Sequence, residues 1–231
     1  MFALFECSPV CDRSRSFYSF TLTLYRDLSK PSYNLSIFSH FSQYSTKPSP
    51  TVLRSLKRAI QYCKENCSSI QFKAVKNPAI KIYSDAAYNS AQYSGRTGYE
   101  VRIVEEDELM HDSKNDMNLV DWKSKKQKEK FVSTTSIEMR ALRDALKNAP
   151  FISTVIKRLW KTTPKISIAI DNEPLRHQLV SKRCNAEPKR QGELEYILQE
   201  IDDQNAAVHL VPTERMIADR MTKFKHFGTP S

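Results

Sequence analysis

The hydrophobic rhythm of the chain changes once, around Lys76, Asn77 and Pro78. Before that point apolar residues recur at helical intervals, and after it they begin to alternate with polar ones, which is the period of a strand. Residues 1 to 21 hold neither period and read as a poorly ordered leader. From Leu22 to about Cys67 the pattern is helical, with Leu35, Phe38 and Phe41 forming a short stripe that the KPSP segment interrupts. Ser49 and Pro50 then suit a helix cap and first turn. Leu53, Leu56, Ile60 and Cys63 follow at helical spacing, with Arg54, Lys57, Arg58 and Lys64 outside. Three segments result: a leader over 1–21, a helical segment over 22–76 and a second domain over 77–231.

Within the second domain, Ile80 and Ile82 mark a strand ending at Asp85. Gly98 to Val104 is a second strand and Asn118 to Ser124 a third, the last preceded by the polar turn HDSKND. A helix is expected from about Thr135 to Asn148. Pro150 opens another, with Phe151, Ile152, Val155, Ile156, Leu159 and Trp160 turned inward. Lys165 to Asp171 is a strand carrying Ile166, Ile168 and Ile170 on one face, and Asn172 and Pro174 begin a short helix. Leu194, Ile197, Leu198 and Ile201 mark a further helix, Ala207 to Val211 a last strand, and a final helix carries Asp219. Three consecutive strands followed by alternating elements fit an α/β fold, a mixed five-stranded sheet flanked by helices.

At 231 residues and 40% hydrophobic the chain can bury a real core. With only 4 glycines it carries neither a Walker-type loop nor a dinucleotide fingerprint. The excess of 36 Lys and Arg over 26 Asp and Glu, a formal charge of +10, favours a polyanionic partner. Five cysteines, an odd number at low density, favour a reducing compartment. Cys7/Cys11 and Cys63/Cys67 have a spacing open to zinc. Cys63, however, falls on an apolar helix stripe, and the other pair sits in the leader. No run approaches the roughly 18 apolar residues of a membrane span, and the start lacks a basic region followed by a long apolar core, so a soluble protein without membrane association is expected.

Four acids stand where apolar or small residues would be expected: Asp85, Glu138, Asp171 and Asp219. Glu138 shares a helix face with Ala141, Leu142, Ala145, Leu146 and Ala149, so its carboxylate is directed into the core side. Asp85 and Asp171 each end a strand run, and strand carboxyl ends form the ligand-binding rim of open α/β sheets. Taken singly, Asp85 suits a turn, Asp171 a helix boundary and Asp219 a surface position. Carboxylates gathered at about 4 Å repel by roughly 4 kcal/mol per pair at an effective dielectric near 20, so their joint placement calls for a cation. Oxygen-only ligation selects a hard ion such as Mg²⁺ or Mn²⁺. A pair of such ions is the arrangement that cleaves phosphodiesters.

The segments YSDAAY, SGRTGYEV, DWKSKKQKEKFVSTTSIEMRAL, IAIDN and LVPTERMIADRMTK resemble the ribonuclease H domain of copia-type LTR retrotransposon Pol polyproteins. That family shows a strand ending in SDA or CDA, a GY strand, a W-x-SKKQ segment leading into SSTEAEYxAL, a strand ending in CDN, and a closing VPTxxxxADxxTK. The likeness covers roughly residues 77 to 226. The preceding KPSYNLSIFSHFSQYSTKPSPTVLRSLKRAIQYCKEN is similar to the segment joining reverse transcriptase to ribonuclease H. STTSIE departs from the usual STxAE, keeping the second acid and losing the first, and KPSY departs from RPDI. There is no histidine in the loop before Asp219, as is general in copia-type elements, and His209 falls on the preceding strand. The YxDD pair of a polymerase is missing, so polymerisation by this chain is not expected.

The resemblance implies a ribonuclease H-like fold preceded by a small helical remnant of the thumb or connection. It also implies two ions, Mg²⁺ or Mn²⁺, held by Asp85, Glu138, Asp171 and Asp219 as catalytic and metal-binding residues. Hydrolysis of the RNA strand of RNA/DNA hybrids is the implied activity. Lys123, Lys125, Lys126, Lys128 and Lys130 would by position lie along the duplex backbone, or would form a solvated charge run. Partners would be the hybrid and the rest of a Pol polyprotein, reverse transcriptase and integrase, in cytoplasmic virus-like particles or the nucleus. Two other readings remain: an inactive or domesticated relic that binds nucleic acid without hydrolysis, and an integrase-like nuclease. Integrases normally use three acids and lack the VPT-x5-AD ending.

Overall fold

The computed structural model of the chain describes residues 41, 44, 47–65, 72–110, 118–184 and 187–223. The leader, most of the Leu35 to Phe41 stripe, the HDSKND turn and four of the five cysteine side chains lie outside the described residues. Two compact units make up the chain, Met1–Ser69 with Lys225–Ser231, and Ile70–Phe224.

In the first unit, helix α1 spans Pro50–Glu65. The Ser49 hydroxyl accepts from the Val52 amide at 3.3 Å, the cap expected before Pro50. Leu56, Ala59 and Ile60 are buried while Arg54, Lys57 and Arg58 are exposed, so the amphipathic reading of this segment holds.

The second unit is a mixed five-stranded sheet in the order β3-β2-β1-β4-β5, flanked by helices. Its strands are β1 (Pro78–Asn89), β2 (Ser94–Glu105), β3 (Asn118–Lys126), β4 (Ile166–Ile170) and β5 (Ala206–Leu210). The first three form an antiparallel meander, and β4 and β5 add parallel to β1. Helices α2 (Thr134–Leu146) and α3 (Ala149–Trp160) follow the meander, α4 (Glu173–Ser181) and α5 (Gln191–Asp203) link β4 to β5, and α6 (Asp219–Thr222) closes the unit.

The main core lies on one sheet face. Ile80, Ile82, Ile166, Ile168 and Ile170 meet Met139, Leu142, Ala145 and Leu146 of α2 and Leu194 and Ile197 of α5. A smaller cluster on the other face joins Tyr83 and Ala169 to Val211, Met216, Ile217 and Ala218. Alternation along β1 and β4 therefore splits each strand between two hydrophobic layers.

Two expectations need correction. The first strand does not end at Asp85 but runs four residues further, because Ala86 to Asn89 find partners in Thr97 to Ser94 of a hairpin that local pattern alone does not reveal. Helix α3 does not turn its whole apolar set inward: Ile156 is buried, whereas Phe151 and Leu159 are 72% and 68% exposed, and Val155 and Trp160 are also exposed. A three-turn helix lying over the edge of a packed layer buries one stripe, and six apolar residues are more than one stripe holds.

Candidate metal centre

Asp85 lies on β1 directly opposite Gly98 of β2. In the parallel pairing of β1 with β4, Tyr83 stands beside Ala169, so the same register carried two residues on brings Asp85 beside Asp171, just past the end of β4. Asn172 caps α4 by accepting from the Leu175 amide at 2.8 Å, which turns the chain away and leaves Asp171 half-buried at the rim. Glu138 arrives from above. Ser133 caps α2 by accepting from the Ser136 amide at 3.2 Å, and Glu138 follows within the next turn, on the buried face with Ala141, Leu142 and Ala145.

The approach to that helix is fixed. Phe131 is buried beneath the Arg190 guanidinium, 4.5 Å from the ring centre, and its carbonyl accepts from the Tyr88 hydroxyl at 3.0 Å.

Asp85, Glu138 and Asp171 each offer a carboxylate oxygen within 4.8 Å of the others. No other such group of acids, cysteines or histidines occurs among the described residues. Burial, then the charges of Asp171 and Asp219, push the Asp85 carboxyl up to about 6, although the Thr222 hydroxyl and Lys223 oppose the rise. Burial first, and Asp85 and Asp171 next, raise Glu138 well above the ordinary carboxylate range, against a hydrogen bond from the Ala86 amide. Like charges held together in a partly dry site are costly unless a proton or a cation joins them. Three carboxylates with no nitrogen or sulfur donor fit a hard divalent ion.

Asp219 is placed differently. It opens α6, lies outside the three-carboxylate group, and its Oδ1 is ion-paired with Lys223. It is still close enough for its charge to raise Asp85. Helix α6 has a single turn, too short to hold itself together, and is held by side chains of the sheet.

Arg220 donates to both oxygens of fully buried Glu100, at 2.7 and 2.8 Å, and Arg102 grips the same carboxylate at 2.6 and 3.0 Å. The Ser124 hydroxyl donates to the Met221 carbonyl at 2.6 Å, and Thr222 donates to Asp85. Gly98 allows this docking, since a Cβ there would lie 2.4 Å from Met221 Cβ. Thr222, Lys223 and the Glu100–Arg220 pair were not anticipated. The only signal available was the spacing of Thr222 and Lys223, three and four residues after Asp219, one helical turn.

Of the five lysines, Lys125, Lys126, Lys128 and Lys130 are exposed, whereas Lys123 is partly buried with its ammonium 3.6 Å from Asp144. His209 sits on β5 with Nδ1 3.0 Å from the Ser167 hydroxyl.

No family profile matches the chain. Among solved structures it is similar to LC11-RNase H1, isolated from compost by a metagenomic approach. That likeness has 19% identity and a TM-score of 0.47, covering 62% of this chain and 92% of that one. It is also similar to the N-terminal RNase H domain of a Mycobacterium tuberculosis protein, at 14% identity and TM-score 0.46 over 63% and 91% of the two chains. RNase H1 from Halobacterium salinarum follows at 17% and 0.42 over 62% and 94%. Likeness this low says nothing of activity, and the case for chemistry rests on the carboxylates themselves.

Proposed function

We propose that this chain is a divalent-metal-dependent endoribonuclease that cleaves the RNA strand of RNA/DNA hybrids, derived from the Pol polyprotein of a copia-type retrotransposon. The observation that carries the hydrolase reading is the convergence of Asp85, Glu138 and Asp171, from two strands and a helix, to within 4.8 Å. The hybrid and the retrotransposon origin rest on the sequence motifs that surround these acids.

In this reading Asp85 and Asp171 hold the ions, Glu138 completes one site and orients the attacking water, and Asp219 completes the other on release from Lys223. Bound Mg²⁺ or Mn²⁺, two ions, would supply charge neutralisation and an activated water for phosphodiester hydrolysis. Glu138, which offers its carboxylate to the cluster from the buried face of α2, is placed to orient that water. Thr222 donates to the Asp85 carboxylate, which limits its rotation within the cluster. Lys125, Lys126, Lys128 and Lys130 supply phosphate contacts and hence salt-dependent affinity.

The alternative, a relic that binds nucleic acid without hydrolysis, has one observation in its favour: Asp219 is neutralised by Lys223 and stands apart from the other three acids. Cleavage of a labelled RNA/DNA hybrid in Mg²⁺ separates the two. Wild type should cut the RNA strand, and Asp171→Asn and Glu138→Gln should each lose at least about a hundredfold in rate, the scale of losing a transition-state charge contact. Equal rates in wild type and Asp171→Asn would reject the site.

A further inference from the structure

A residue outside the carboxylate cluster, Tyr93, is built as if its side chain mattered and its packing did not. It ends the short turn Ser90–Gln92 between β1 and β2 with φ of 48°, in the left-handed region. Glycine or asparagine occupies that conformation cheaply, and a tyrosine does not. Burial gives no compensation, because the side chain is 57% exposed.

The surroundings are fixed and basic. The Phe131 amide donates to the Tyr93 carbonyl at 2.9 Å and the Gln127 amide to the Gly95 carbonyl at 2.8 Å, so the segment after β3 is laced to the hairpin turn. The Gln127 side chain is buried and donates to Thr97 at 2.6 Å. The result is an open cavity of about 710 Å³ lined by Tyr93 with Lys126, Lys128 and Lys130, and no acidic side chain lines it. Glu129, the one acid in that segment, is turned away to Arg140 at 2.7 Å.

An exposed aromatic face among lysines fits one ligand chemistry: a nucleobase stacked on the ring with its flanking phosphates on the ammonium groups. A base within a duplex has no free face, so the occupant is unpaired. Asn89 lies four residues beyond Asp85 on β1, about 13 Å along the strand, which sets the cavity a few nucleotides from the carboxylates. We infer that Tyr93, Lys126, Lys128 and Lys130 form a stacking subsite for a single-stranded extension of the nucleic acid bound at the carboxylate cluster. The inference rests on the nuclease reading for the identity of the polyanion, but not on hydrolysis itself.

The test is equilibrium binding, in EDTA so that nothing is cleaved, of a labelled hybrid that is blunt, carries a short RNA overhang, or carries a short DNA overhang. The full chain should bind at least one overhang hybrid more tightly than the blunt one, and the two overhang arms report which strand enters. Tyr93→Asn should remove that advantage, a loss of roughly 5- to 150-fold, while changing blunt-hybrid affinity by less than about twofold. Tyr93→Trp should keep it. Because asparagine suits the backbone here, Tyr93→Asn should melt at or up to about 4 °C above wild type.

Equal binding of blunt and overhang hybrids by wild type would overturn the inference. So would an undiminished overhang preference in Tyr93→Asn, or a clear fall in its melting temperature. Cleavage of the hybrid in Mg²⁺ without overhang preference would leave the nuclease reading standing alone. Overhang preference without cleavage would sink that reading and keep the subsite.

Discussion

At the scale of single residues, the acids are in conflict with their surroundings. Asp85 in the folded chain titrates at about 6 against an ordinary 3.8, and Glu138 is raised as well, burial being the first cause in both. A carboxyl whose folded pKa is raised binds its proton more tightly folded than unfolded. In the metal-free protein these two acids therefore contribute stability that is present at low pH and is lost as pH rises, from about 4 through about 6 and by on the order of 3 kcal/mol for Asp85. Melting in EDTA should be higher near pH 5 than near pH 8, Mg²⁺ should restore the loss at pH 8, and Asp171→Asn should shrink the difference. A flat wild-type profile in EDTA would show that these acids do not repel one another. Metal affinity should fall as pH drops through about 6, since protons compete for the same oxygens. Glu138 was visible in the sequence because a carboxylate on an apolar helix face has few structural explanations. Thr222 and Lys223 were not, because a threonine or lysine one turn from an aspartate is ordinary on any helix.

At the scale of elements, the weakest piece is α6, four residues that carry Asp219 and Thr222. Its position depends on close approach at Gly98 and on the buried Glu100 carboxylate. Gly98→Ala would place a methyl 2.4 Å from Met221 Cβ and 3.0 Å from Thr222 Cγ2. We expect it to displace α6, lowering hybrid cleavage at least about tenfold, equivalent to about 1.4 kcal/mol of misplacement, and to increase hydrogen exchange at the Met221 amide. Glu100→Gln leaves Arg102 and Arg220 without their anion and should cost about 3 kcal/mol, read as a fall in unfolding midpoint. Gly192→Ala is the contrasting control. Nothing lies within 4 Å of that position on α5, so the change should stabilise by about half a kcal/mol. Helix α3 shows the limit of periodicity: its six apolar residues correctly indicated a helix, but not how many the sheet could cover.

At the scale of the whole molecule, the formal charge of +10 leads us to expect that the proposed affinity for nucleic acid depends on salt. Replacing Lys125, Lys126, Lys128 and Lys130 together by alanine should reduce the slope of log affinity against log salt by up to about 3.6, or about 0.9 for each phosphate no longer neutralised. An unchanged slope would mean that the run is solvated surface. The succession of strands and helices, the alternating faces of β1 and β4, the caps at Ser49 and Asn172, and the three acids that the fold brings together were legible in the chain itself. Each follows from a local period or from a residue type whose burial demands a reason. Only the tertiary structure decided that β1 continues past Asp85, that Asp219 is ion-paired with Lys223 and set apart from the other acids, and that exposed Tyr93 shares an open cavity with three lysines. Those facts depend on which segments meet in space, and a meeting between separate segments leaves no period for local inspection to find.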